Sequence, residues 1–177
     1  EDYATHAISI AQRLRDTMAL AEGYGLLAMS FGYRGLSARA FDYCRQALSL
    51  AMASKNNAAI ALAYNYLSEE YRVVLHYDSA TVAAERAMAF ALRASDSVRY
   101  ARAWGSLGQV YVRQRRYAEA VAIFQRILPV FEQAQRHGEY VNVLNRLGYV
   151  LELQGEREKA LPLYEKAYNL SESKSYI

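Results

Sequence analysis

Shifted by 40 residues, the chain aligns with itself. Tyr24, Leu27, Ala28 and Phe31 become Tyr64, Leu67, Ser68 and Tyr71, then Trp104, Leu107, Gly108 and Tyr111, then Leu144, Leu147, Gly148 and Leu151. Farther on, Ala40, Cys44 and Ala47 recur as Ala80, Ala84 and Ala87, as Ala120, Phe124 and Ile127, and as Ala160, Tyr164 and Ala167. No insertion or deletion interrupts the four copies. A unit of this length cannot bury an apolar face alone, so the copies must stack.

Each copy carries two helical patterns. In the first, apolar residues recur at offsets 0, 3, 4 and 7, and in the second at 0, 4 and 7; both place them on one helix face. Breaks fall at Tyr33-Arg-Gly-Leu, Leu75-His-Tyr-Asp, Gln114-Arg-Arg-Tyr and Gln154-Gly-Glu-Arg. Copies end at Lys55-Asn-Asn, Ser95-Asp-Ser and Arg136-His-Gly, residues that stop helices. The pattern predicts A helices at 21–34, 58–75, 98–114 and 139–154, and B helices at 37–54, 78–94, 117–136 and 157–173. Ala40, Ala80, Ala120 and Ala160 fall where B crosses A, with Gly108 and Gly148 facing them, which allows close approach of the axes.

Trp104-x-x-Leu107-Gly108-x-x-Tyr111 followed by Tyr117-x-x-Ala120-x-x-x-Phe124 resembles a tetratricopeptide repeat. Leu144, Leu147, Gly148, Gly155, Ala160, Tyr164 and Ala167 fit the same pattern, while copies one and two carry Ala28 and Ser68 at the glycine position. The resemblance implies an all-α fold, an α-solenoid of antiparallel helix pairs in a right-handed superhelix. The common repeat has 34 residues; the six extra here are expected to lengthen helix B and its exit loop. The resemblance also implies a binding scaffold rather than an enzyme, found in long form in bacterial signalling and adaptor proteins. Residues 1–177 read as one such domain, with copies at 21–60, 61–100, 101–140 and 141–177. Residues 1–20 align with a second helix, placing Ala4, Ala7, Ile8 and Ala11 on one side. We therefore expect the chain to be a piece of a longer protein.

Composition excludes other readings. The longest uncharged stretch, Asn56 to Ser68, has 13 residues, short of the roughly 20 a membrane helix needs. A single cysteine cannot form an intramolecular disulfide, and Cys44 holds a core position. His6, His76 and His137 have no ligand at metal spacing, and no phosphate loop or serine elbow is present, so no metal, cofactor or catalytic residue is expected. Absence of any targeting segment points to the cytoplasm. Twenty-one basic and 18 acidic residues give +3, too mild to require nucleic acid. Six arginines and one acid between Arg93 and Arg116 concentrate positive charge there, and nucleic-acid binding through that patch is one alternative. Self-association through exposed repeat ends is another, and would make a weak homo-oligomer.

In the family, A helices line the concave side, and the core period leaves repeat positions 2, 5, 6, 9, 12 and 13 to face it. The expected peptide groove comprises Asn65, Tyr66, Glu69, Arg72, Arg102, Gln109, Arg113, Asn142, Asn145, Arg146 and Tyr149. Asparagine can both donate to and accept from an extended backbone, and an arginine fork suits a carboxylate. The partner expected is a protein or peptide carrying an acidic group. Arg102 and Arg146 could equally pair with Glu69 and Glu152 and bind nothing. Tyr33 is a further tyrosine that core periodicity does not explain. Gly25 and Gly105 sit mid-helix, at a cost of about 1 kcal/mol each relative to alanine, and so require close approach by a ligand or a neighbouring helix. The family's carboxylate clamp needs asparagine at position 9, which here holds Met29, Glu69, Gln109 and Tyr149, so that activity does not carry over.

Overall fold

A computed structural model describes residues 2–172, and every regular element among them is a helix. These are α1 (Asp2–Leu14), α2 (Thr17–Tyr33), α3 (Ser37–Ser54), α4 (Asn57–Val73), α5 (Tyr77–Arg93), α6 (Ser97–Arg113), α7 (Tyr117–Gln133), α8 (His137–Leu153) and α9 (Arg157–Glu172). Residues 173–177, and the side chains of Ala4 and Ala7 invoked above, lie outside the described residues.

From α2 onward a helix begins every 20 residues, so the 40-residue copy is two equal halves. The reason is a single kind of turn. Arg15, Gly35, Lys55, Leu75, Ser95, Arg115, Gln135 and Gly155 all take left-handed backbone, each 20 residues after the last. Around Leu75, the His76 amide donates to the Tyr71 carbonyl at 2.8 Å and the Leu75 amide to the Arg72 carbonyl at 3.2 Å. The same pair recurs around Arg115, from Arg116 to Tyr111 and from Arg115 to Val112. These bonds satisfy the last helical carbonyls, the Schellman arrangement. Three A helices then begin on a capping side chain. Asp16 Oδ1 accepts from the Ala19 amide, Asn56 Oδ1 from Ala58 and Ala59, and Asp96 Oδ1 from Arg99.

Two sequence expectations change. Helix A of the first copy begins at Thr17, four residues before the predicted 21, because Asp16 is its cap. The extra length of the repeat is shared equally: A helices have 17 residues and B helices 16 to 18, so helix B and its exit loop do not take it all.

The chain divides into two compact units, Glu1–Ser106 and Leu107–Ile177, with the division inside α6. In the first, Ala21, Ala28, Cys44, Ala47, Ala59, Ala63, Ala87 and Ala103 are buried with Ile60, Leu62, Tyr64 and Tyr66, a core made largely of small residues between close helices. Ile8 and Ala11 of α1 pack on Leu20 and Leu27. In the second, Ile123, Phe124, Ile127 and Phe131 of α7 and Val143, Leu144, Leu147 and Val150 of α8 are buried.

The glycine position of each copy is explained by the residue 16 places later. A Cβ on Gly108 would stand 2.9 Å from Phe124 Cε1, and one on Gly148 2.9 Å from Tyr164 Cε1. Copies one and two carry Cys44 and Ala84 where those rings stand, and there Ala28 and Ser68 are accommodated, Ser68 Oγ donating to the Ala80 carbonyl at 2.8 Å.

Candidate interaction surface

The expected groove residues fall into two groups with different surroundings. In the first unit they are largely covered. Eight consecutive residues of α4, Ala59 to Tyr66, are buried, so this helix has no open face along that stretch. Asn65 and Tyr66 are each only 7% exposed. On one side α2 closes on them: a Cβ on Gly25 would stand 2.0 Å from Tyr66 Cδ2, so Gly25 exists to admit that ring. On the other, Ser106 Oγ of α6 donates to Asn65 Oδ1 at 2.9 Å. Arg99 Nη2, at the start of α6, reaches Met18 Sδ of α2 at 3.3 Å, 81 residues away. Burial, followed by the nearby Glu22 charge, pushes the Tyr66 phenol up to about 12. Asn65 and Tyr66 are thus interior packing residues in this unit, a correction to the expected groove.

Glu69 and Arg72, three residues apart on α4, are committed to each other. Arg72 donates from Nε at 3.0 Å and from Nη2 at 2.7 Å to Glu69 Oε2, with both side chains mostly covered. Arg102 is half-buried on α6. Tyr33, at the end of α2, is exposed.

The second unit presents the other group. On α8, Asn142, Asn145 and Tyr149 are exposed and Arg146 half-buried, a spacing that sets them in one stripe. The opposite face of the helix holds Val143, Leu144, Leu147 and Gly148 in the core, so the stripe stands on a fixed backbone. At the end of the helix Tyr164 donates to Glu152 Oε2 at 3.3 Å. Gln109, half-buried, and Arg113, exposed, lie on the last two turns of α6. Amide groups that both donate and accept, a ring half open to water, and guanidinium cations are together suited to an acidic polypeptide segment.

The Arg93–Arg116 segment is less free than its count suggests. Arg99 pairs with Asp96, and Arg116 with Glu119. Arg116 also lies 3.9 Å from the Tyr111 ring centroid, and Arg93 4.8 Å from that of Phe90. His6, His76 and His137 are exposed, and among the described residues no three metal-ligating side chains gather. No helix among them is long and apolar enough to cross a membrane.

One residue of note escaped the sequence reading. Glu70 of α4 is 1% exposed, with Oε2 lacking any hydrogen-bond partner. Its carboxylate lies where a Cβ on Gly32 would stand 2.3 Å away. Burial, then the charge of Glu69, raises its pKa to about 7 against the pull of Arg72. The signal was present in the 40-residue shift, since the matching residues are Val110 and Val150, both core. Cys44, fully buried, is pushed up to about 12 by burial and by Glu70, so its thiol stays protonated and inert.

Antiparallel helix pairs of one length, joined by one turn and packed at one register, define an α-helical repeat protein. Residues 99–173 match the profile of the tetratricopeptide repeat family and carry its repeats, and the whole chain has that family's TPR-like fold. No curated protein sequence matches the chain. Among solved structures it is similar to BtubC (BKLC) from P. vanneervenii, with 20% identity and a TM-score of 0.70 over 97% of this chain and 72% of that one. It is also similar to a Rap protein complexed with competence and sporulation factor, with 18% identity and a TM-score of 0.81 over 96% of this chain and 48% of that one. Similarity to MamA covers 98% of this chain and 90% of that one, with 20% identity and a TM-score of 0.59. The chain thus spans about half the length of the Rap protein.

Proposed function

We propose that this chain is a non-enzymatic scaffold that binds a protein or peptide, serving as the sensory or docking region of a larger signalling protein in the cytoplasm. The observation that carries the reading is the α8 stripe of Asn142, Asn145, Arg146 and Tyr149, open to solvent along a helix whose other face is core. Gln109 and Arg113 extend the chemistry of that stripe on α6. A partner segment with an acidic group would place its backbone against the asparagines, its carboxylate toward an arginine, and an apolar side chain on Tyr149. Asn65 and Tyr66 support this surface from within, and Glu69, Arg72 and Arg102 contribute less than their sequence positions imply. The similarity to a Rap protein in complex with a signalling factor supports the reading.

The test is a partner screen followed by Asn145→Ala, Tyr149→Ala and Arg126→Ala on whatever binds. Arg126 stands exposed on α7, outside the stripe. Loss of affinity in the first two and retention in the third supports the stripe. Equal loss in all three replaces it with a diffuse electrostatic mode. Self-association is a second reading, favoured by Leu161 and Tyr168, exposed seven residues apart on α9; light scattering over a concentration series checks it.

A further inference from the structure

The four copies differ at one B-helix position in a way that leaves a hole in the second. That position holds Tyr43, Ala83, Ile123 and Leu163. In copy one, Tyr43 is sandwiched by its own repeat: its ring stacks on Tyr24 at 6.1 Å and 23°, and on Phe31 at 5.4 Å and 19°. The second copy keeps both walls, as Tyr64 and Tyr71, but has only a methyl group between them. The result is a cavity of about 310 Å³ between α4 and α5, lined by Tyr64, Leu67 and Tyr71 on one side and Asp78, Ala83 and Arg86 on the other. Its size sits at the low end of ligand sites, roughly 300–1,000 Å³, enough for one ring and its attachment.

The walls are held from behind. Phe90 stacks on Tyr64 at 5.8 Å and 15°, and Phe41 packs on Tyr71 at 5.0 Å. They would therefore not need to order on binding, which removes a usual cost of association. Arg86, one turn beyond Ala83, is exposed at the mouth with its guanidinium 5.6 Å from the Tyr64 centroid and Nη1 3.4 Å from the Tyr64 hydroxyl. It can turn to a carboxylate without leaving the ring. The chain itself thus shows, in copy one, how an aromatic ring seats in this frame, and in copy two provides a cation beside the vacant seat.

We propose that the cleft between α4 and α5 takes an aromatic side chain from a partner polypeptide, with an acidic residue next to it for Arg86. The partner ring occupies in copy two the place Tyr43 occupies in copy one. This site is separate from the α8 stripe and does not rest on it.

The experiment is an NMR titration of the intact chain, following the methyl groups of Leu67, Val82 and Ala83. The probe is acetyl-Glu-Tyr-Gly-amide, compared with acetyl-Glu-Ala-Gly-amide, acetyl-Gln-Tyr-Gly-amide and free 4-hydroxyphenylacetate. The expected result is a saturable shift with the first peptide, none with the ring-less one, and affinity lower by about tenfold with the uncharged one, the scale of one charge-assisted hydrogen bond. Ala83→Tyr should fill the seat, abolish the shift and leave the thermal midpoint unchanged or raised. Should that variant not fold, Ala83→Leu, which copies the residue of the fourth repeat, serves in its place. No saturable shift with acetyl-Glu-Tyr-Gly-amide, or undiminished binding by the filled variant, overturns the proposal. Tighter binding of free 4-hydroxyphenylacetate than of the peptide overturns the polypeptide source and assigns the cleft to a small aromatic acid.

Discussion

Glu70→Gln isolates the one buried carboxyl that the fold leaves without a hydrogen bond. In the folded chain its pKa is raised from 4.5 to about 7. A carboxyl with a raised folded pKa binds its proton more tightly in the native state than in the unfolded one. Its contribution is therefore fully present below about pH 4.5 and is lost as pH rises through about 7. A difference of that size corresponds to about 3 kcal/mol, from about 1.4 kcal/mol per pKa unit. That figure is a ceiling, because local opening lets the ionised group reach water. The groups around Glu70 do not mask the effect: Arg72 is held by Glu69, and the Cys44 thiol is neutral throughout. Urea unfolding followed by circular dichroism at pH 5.5, 6.5, 7.5 and 8.5 reads it directly. The wild type should lose stability across the series, steepest below pH 7, while Glu70→Gln, neutral at every pH, should stay nearly flat and exceed the wild type at pH 8.5. Parallel curves for the two proteins would refute the assignment of a buried, unpartnered acid.

Two further outcomes follow from the packing and the turns. Gly25→Ala should destabilise by about 1–3 kcal/mol through overpacking on Tyr66, whereas in a Tyr66→Ala background the same change should gain up to about 1 kcal/mol from helix propensity; urea midpoints of the four proteins give the cycle. Leu75→Gly should stabilise by about 1 kcal/mol, since Leu75 holds φ 64°, a left-handed conformation that a Cβ disfavours; a midpoint at or below that of the wild type would contradict it.

The repeat was legible because all four copies have one length, and each core position can be checked three times over. The 20-residue half-period was hidden by the turns. Six of the eight left-handed residues are Arg15, Lys55, Leu75, Ser95, Arg115 and Gln135, none of the types that announce such a turn. The turn is imposed by the carbonyls it satisfies and by packing of the helices on either side. The candidate surface was legible on α8, where one outward stripe survives. It was not legible on α4, because helical angle alone says which residues point away from one core, not whether a second helix closes over them. Gly25 held the clue, as a helix-interior glycine in need of a neighbour. Glu70 and Ala83 were visible only by reading each repeat position down the four copies for the residue that departs from its column.

Every placement above depends on the 40-residue register, which puts Ala120 at the crossing of α6 and α7 and Ala122 on the surface. Ala120 is 0% exposed, and Ala122, two residues on, is open to water. Thermal unfolding of Ala120→Phe and Ala122→Phe against the wild type is the most direct measurement. The register predicts a loss of about 1–3 kcal/mol for Ala120→Phe, a fall in midpoint of about 2–4 °C per kcal/mol for a chain of this size, and less than about 0.5 kcal/mol for Ala122→Phe. Equal midpoints for the two variants, or an unchanged midpoint for Ala120→Phe, would contradict it.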